Sequence, residues 1–229
     1  LRPLSQAQPT LLAGTAGATS PFFSPNARSL GYFANGQLQT IALAGGSPIS
    51  LAEAAEPLGA AWLRDGRIVF ARGSAEGLFT VGDNGGTVRP LTRPLAGEGG
   101  HRWPAASPDN SAPVFTVAAN RENAGAGSVR TRTRGRLLDD VTAARVPVSG
   151  FLVAQRGRDL VASIFDERAR SITGLPVPVA ALESSHPTPQ FAMSAAGTLV
   201  IAQPRANAMQ VLLDWTGELG PLLPASLPA

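Results

Sequence analysis

The sequence predicts an all-β chain, and three observations carry that prediction. A cadence of turn, short apolar run and second turn returns along the 229 residues, with its first turns at Asn26, Asp65, Asp109, Ser149 and Ala195. The intervals between those turns are 39, 44, 40 and 46 residues. The apolar runs are short and rich in β-branched and aromatic residues, which suits strands rather than helices. Turn formers are abundant, with 25 Gly and 20 Pro. A period of about 40–45 residues is that of a four-stranded antiparallel blade of a β-propeller. About five such blades are expected here.

The elements follow in order. "LRPLSQAQPTLLAG" opens the chain and matches "VRPLTRPLAG" at 88–97, so 1–13 reads as the last strand of a preceding blade. The first repeat, 14–52, supplies "PFFSP", "SLGYFA", "LQTIAL" and "SPISL" as strands. The second, 59–92, supplies "GAAWL", "RIVFA", "GLFTV" and "VRPLT". Asp65-Gly66 suits a tight hairpin, because glycine accepts positive φ at little cost, and Gly85-Gly86 is expected to turn the chain between the last two strands. The remaining repeats are 102–141, 145–180 and 186–224. A blade buries its faces on its neighbours and is not stable alone. Five blades plus an orphan strand therefore read as one propeller domain over 1–229, expected as a piece of a larger ring, with a closed five-bladed ring as the alternative. Phe22, Tyr32, Trp62, Phe70, Phe79, Phe115, Phe151, Phe165, Phe191 and Trp215 are expected to pack between blades.

Composition narrows the chemistry. Hydrophobic residues make up 44% and charged residues 15%, which is too apolar for a disordered chain. There is no cysteine, so disulfides, thiol catalysis and thiolate metal sites are excluded. All 19 basic residues are arginine, which removes every lysine-dependent mechanism. The net charge of +3 is modest and gives no reason to expect nucleic acid as a partner. No run approaches the roughly 18–20 apolar residues of a membrane span. No basic-then-apolar leader opens the chain, so membrane association is expected only through flanking segments.

"SPFFSPNARSLGYFANGQLQTIALAGG", "GAAWLRDGRIVFA", "HRWPAASPD" and "FAMSAAGTLVIA" together resemble the TolB-type, WD-repeat-like propellers. They are most similar to those fused behind bacterial transmembrane serine/threonine kinases. The turn in that family is usually Ser-Pro-Asp-Gly. Here Ser107-Pro108-Asp109 and Asp65-Gly66 keep it, whereas Ser24-Pro25-Asn26-Ala27, Ser149-Gly150 and Ser194-Ala195-Ala196-Gly197 depart from it. The resemblance spans Leu1 to about Gly217. It implies that the blades are part of a six-bladed ring, and that the chain is an extracytoplasmic or periplasmic sensor or protein-interaction module.

No catalytic constellation stands out. The kinase strand lysine and the P-loop lysine are missing, and so is the Gly-x-Ser-x-Gly nucleophile elbow. His101 in "GEGGHRW" and His186 in "ESSHPTP" occupy comparable loops ahead of the third and fifth repeats. Both are candidate contacts at a ring mouth, as is Arg102. No cluster has metal-ligand spacing, and no cofactor is expected. Asp139 and Asp140 are sequence neighbours, so on a strand they point to opposite faces. In "VRTRTRGR", Arg130, Arg132, Arg134 and Arg136 recur at period two. If extended, they share one face that could meet phosphates or an acidic peptide. The expectation is a non-catalytic, non-enzyme module binding a protein, peptide or small ligand through loops. The alternative is the gating propeller of a serine peptidase whose catalytic domain lies elsewhere.

Overall fold

The structure is a computed structural model, and it describes residues 11–107, 113–119, 127–131, 136–146, 150–182, 188–194, 199–202 and 209–212. These residues form five antiparallel sheets, each a meander in chain order. The first is β1 (Thr19–Phe23), β2 (Ser29–Ala34), β3 (Gln37–Ala42) and β4 (Ile49–Glu53). The second is β5 (Ala60–Trp62), β6 (Arg67–Phe70), β7 (Phe79–Gly82) and β8 (Gly85–Pro90). The third is β9 (Glu98–Ala105), β10 (Val114–Ala119), β11 (Gly127–Thr131) and β12 (Arg136–Val141). The fourth is β13 (Ala143–Arg145), β14 (Phe151–Arg156), β15 (Asp159–Asp166) and β16 (Ser171–Ala181). The fifth shows β17 (Phe191–Met193), β18 (Leu199–Ala202) and β19 (Met209–Leu212). The four inner strands β1, β5, β9 and β13 touch one another in sequence. The fold is an all-β propeller of four-stranded blades.

Strand periodicity explains why the blades stack. Successive side chains alternate between the two faces of a sheet, and here each face meets a different neighbour. In β6, Ile68 and Phe70 pack with Phe33, Leu38 and Leu51 of the first blade. Val69 between them packs instead with Phe115 and Val117 of the third. In β14, Leu152 and Ala154 join Val114 and Val141 of the third blade. Val153 joins Phe191, Leu199 and Ile201 of the fifth. Both faces are dry, so apolar residues follow one another along the middle strands. The first blade's other face buries Leu30, Tyr32, Ala34 and Ile41 beneath Leu12 and Ala18. The Tyr32 hydroxyl there donates to the Gly14 carbonyl at 3.0 Å.

The hairpin turns follow local chemistry. Gly66 has φ +83°, and Asp65 beside it accepts from the Arg67 backbone and guanidinium at 3.1 and 2.6 Å. Hydrogen bonds from Arg67 hold the Asp65 carboxyl below the usual range. In the first blade, Ser24 Oγ accepts from the backbone of Ser29 at 2.9 Å and donates to Asn26 Oδ1 at 2.8 Å. Ala27 takes the glycine place there with φ +53°. The expected Gly85-Gly86 turn is corrected: Asp83 and Asn84 form the turn, and both glycines already belong to β8. Asx side chains can close a two-residue hairpin themselves, which leaves the glycines to carry positive φ just beyond it.

Candidate functional site

The connections of a meander alternate between its two ends. In the second blade, Asp83 donates its backbone N–H to Gly66 at 2.9 Å, which joins the turns of one end. At the other end the β4–β5, β6–β7 and β8–β9 connections meet. Leu58 donates to Ala71 at 3.1 Å and Glu56 to Arg72 at 3.1 Å. His101 donates to the Glu76 carbonyl at 2.8 Å. We call this end the entrance face, because each inner strand begins there.

A polar network pins this face between blades two and three. Leu95–Glu98 is a turn closed by Glu98 N–H donating to Leu95 at 3.0 Å, with Gly97 at φ +81°. The Glu98 carboxylate reaches back to accept from the Leu95 amide at 2.8 Å. Its other oxygen takes Arg130 Nη1 at 2.6 Å. Gly100 then lets β9 run against the preceding blade, because a Cβ there would overlap the Ser74 carbonyl. This close approach continues the strand through His101.

His101 is therefore not an exposed loop residue, as its sequence setting suggested, but a strand residue only 4% exposed. Its ring lies 4.8 Å from that of Phe115. Thr92 Oγ1 accepts from the Leu78 amide at 2.8 Å, so its single proton is free to donate to His101 Nδ1 at 2.7 Å. Nε2 then carries the ring proton, directed to Glu98 at 3.5 Å. Burial lowers the His101 pKa, and the Glu98 hydrogen bond opposes that shift. With Nδ1 occupied and Nε2 protonated, the neutral ring has no free lone pair and acts as a strut.

Charged groups at the rim are similarly fixed. Arg72 pairs with Glu76 at 2.9 Å and stacks 3.9 Å over the Phe79 ring. Glu56 accepts from the Ser74 hydroxyl at 2.9 Å.

The arginine run is not one extended strand. Arg130 on β11 is the register partner of Arg136 on β12, so the chain folds back between them. Arg130 is committed to Glu98, and Arg136 to Asp139. Arg132, Arg134 and His186 lie outside the described residues. Asp139 and Asp140 are both exposed, and Arg156 lies 3.8 Å from Asp140. Among the described residues no group of three His, Asp or Glu side chains could hold a metal. No helix among them is long and apolar enough to cross a membrane.

Arg102, on the same strand as His101, has its Nε buried without a partner. Sequence reasoning missed Glu98, Thr92 and Arg145. Arg145 had a visible signal, since Arg102-Trp103-Pro104 returns as Arg145-Val146-Pro147.

No protein-family model and no curated protein matches the chain. Solved structures do. A calcium-binding regucalcin from Agrobacterium tumefaciens is 18% identical, with TM-score 0.62 over 90% of this chain and 72% of that one. A chain of the nidogen–laminin complex is 14% identical, with TM-score 0.65 over 85% and 75%. TolB from Acinetobacter baumannii is 15% identical, with TM-score 0.59 over 85% of this chain and 51% of TolB. These likenesses establish the TolB-like propeller fold. They also correct the expectation that the chain is not an enzyme. A luciferin-regenerating enzyme, an oligogalacturonate lyase and a virginiamycin B lyase share the architecture. The absence of lysine, cysteine and a nucleophile elbow excludes particular mechanisms, not catalysis on this fold.

Proposed function

We propose that the chain is the recognition module of a larger bacterial envelope protein of TolB-like or kinase-fused type, and that it binds a protein, peptide or small ligand at the entrance face. The observation that carries this reading is the fixed polar rim at the entrance ends of blades two and three. Glu98–Arg130, Arg72–Glu76 and Glu56–Ser74 hold charged groups in place before any partner arrives. Pre-organised groups lose little freedom on binding, which is where affinity is usually lost. Loops carried on a rigid scaffold are also where binding residues concentrate. The extracytoplasmic placement and the kinase-fused type rest on the ordered turn motifs, from Ser24-Pro25-Asn26 to Ser107-Pro108-Asp109.

A photo-crosslinking residue tests this reading when placed in source cells at Ala75 or at Asn84. Both positions are exposed, at opposite ends of the second blade. Adducts from position 75 and none from 84 are expected. Adducts from both positions alike, or from 84 alone, contradict the reading.

A further inference from the structure

Among the described residues, four hydrophobic clusters are seams between blades. They join blades one and two, two and three, three and four, and four and five. Each seam sets the face that one blade turns to its successor against the face that the next turns to its predecessor. We call these the trailing and leading faces. A fifth cluster has no second blade. On the leading face of blade one, Leu30, Tyr32, Ala34 and Ile41 pack with Leu12, Ala18 and Leu43.

That face nevertheless carries a seam-making element. "LAGTAGATSPFFSPN" at 12–26 matches "LAGEGGHRWPAASPD" at 95–109 without a gap, and the match extends to the backbone. Thr15 donates to Leu12 at 3.3 Å as Glu98 does to Leu95 at 3.0 Å. Gly14 and Gly97 have φ +86° and +81°, and Ser20 and Trp103, each before a proline, have φ +48° and +52°. Both inner strands then bulge, at Thr19–Phe22 and at Arg102–Ala105. In blade three this element closes a seam. His101 and Trp103 donate to carbonyls of blade two, a Cβ at Gly100 would overlap the Ser74 carbonyl, and Ala106 packs with Leu63 and Leu78. The copy in blade one is unsealed. Ala18, the counterpart of His101, donates to Thr15 of its own segment at 3.1 Å. A Cβ at Gly17, the counterpart of Gly100, would meet nothing within 4 Å among the described residues. Phe23, the counterpart of Ala106, is 56% exposed.

Residues 12–18 cross this face in place of a blade, tied down by the Tyr32 hydroxyl on the Gly14 carbonyl. Repeat symmetry identifies what else fits there, because every seam in the chain pairs a leading face with a trailing one. Blade five has a trailing face with no later blade among the described residues. Its Val200 points away from the seam that Leu199 and Ile201 make with blade four, and Ala192, the register partner of Val200, is exposed. No described residue of blade five joins the cluster on blade one, so the two faces do not meet within one chain. We propose that they meet between chains: the trailing face of blade five in one copy docks on the leading face of blade one in a second copy and takes the place of residues 12–18. The contact is heterologous, head to tail. It does not rest on the entrance-face reading, because it uses the flat faces of the terminal blades and not their rim.

Sedimentation velocity of the 229-residue chain across a concentration series tests this. Association that rises with concentration is expected. Phe23→Ser, on the leading face, and Ala192→Arg, on the trailing face, should each weaken it about tenfold; both positions are exposed, so neither change empties the core. Tyr32→Phe removes the hydrogen bond that ties residues 12–18 down, and should strengthen association about threefold. Thr87→Arg, on the exposed outer strand β8, should change nothing. An equimolar mixture of the Phe23→Ser and Ala192→Arg chains should recover dimers and nothing larger, because it keeps one intact pair of faces. A parent chain that stays monomeric at every concentration overturns the proposal. So does association that Phe23→Ser and Ala192→Arg leave unchanged, or a mixture that associates no better than either variant alone.

Discussion

Replacing Glu98 by Gln keeps the side chain's shape and removes its charge. In the native chain that carboxylate accepts from Arg130 at 2.6 Å, from the Leu95 amide at 2.8 Å and from His101 at 3.5 Å. The Arg130 and Glu98 side chains are 27% and 12% exposed. This pair is neither a surface ion pair, worth about 0–1 kcal/mol, nor a fully buried one, whose disruption costs about 3–5 kcal/mol. A charge-assisted hydrogen bond contributes about 1.5–3 kcal/mol. The substitution should therefore cost about 2 kcal/mol, or about 4–8 °C in Tm for a domain of this size. Arg130→Met should cost a similar amount, and the double variant little more than either single one. Urea denaturation of all four proteins gives the coupling energy directly. The expected coupling is about 2 kcal/mol. A coupling below about 0.5 kcal/mol, as at an exposed pair, would refute the Glu98–Arg130 pair as a fixed contact of the rim.

Burial lowers the His101 pKa, so the native state binds fewer protons than the unfolded chain as pH falls below the unfolded value of about 6.5. Its contribution is fully present above that pH and declines through the window down to the folded value, by up to about 1.4 kcal/mol per pH unit. Urea midpoints across this range should show an acid limb that His101→Asn reduces. Ala27→Gly should raise stability by about 1 kcal/mol, because Ala27 is exposed and holds φ +53° where the second blade has Gly66. Its melting temperature should rise by about 2–4 °C.

The blades were legible because their signal is repeated. One Asp-Gly turn says little, but turns at Asn26 and Asp65, each followed by apolar alternation, define the same unit twice. The aromatics Tyr32, Phe70, Phe115, Phe165 and Phe191 are buried as their residue type suggests. Phe22, Trp62 and Phe79 pack at the margin of the first seam, and Trp215 lies outside the described residues. The polar network was much less legible. Thr92, Glu98, His101 and Arg130 come from three separate stretches, and no spacing rule joins a threonine after one blade to an arginine on the third strand of the next. His101 was misplaced for a physical reason. "GEGG" reads as loop, yet Gly100 serves close backbone approach and lengthens the strand. The arginine run misled through the opposite assumption: period two implies a shared face only while the strand continues, and the chain turns back before Arg136.

Amide hydrogen exchange tests the central claim, that the sheets are seamed into a propeller, most directly. The backbone N–H groups of His101 and Trp103 donate across the seam to Glu76 and Leu58, each at 2.8 Å. They belong to blade three, but their acceptors belong to blade two. In a seamed propeller these two amides exchange only with global unfolding, as slowly as those of Val69 and Phe70 in the core of the second blade. Exchange of His101 and Trp103 at the rate of exposed loop amides, while β6 stays protected, would show folded sheets without the seam and would contradict the account.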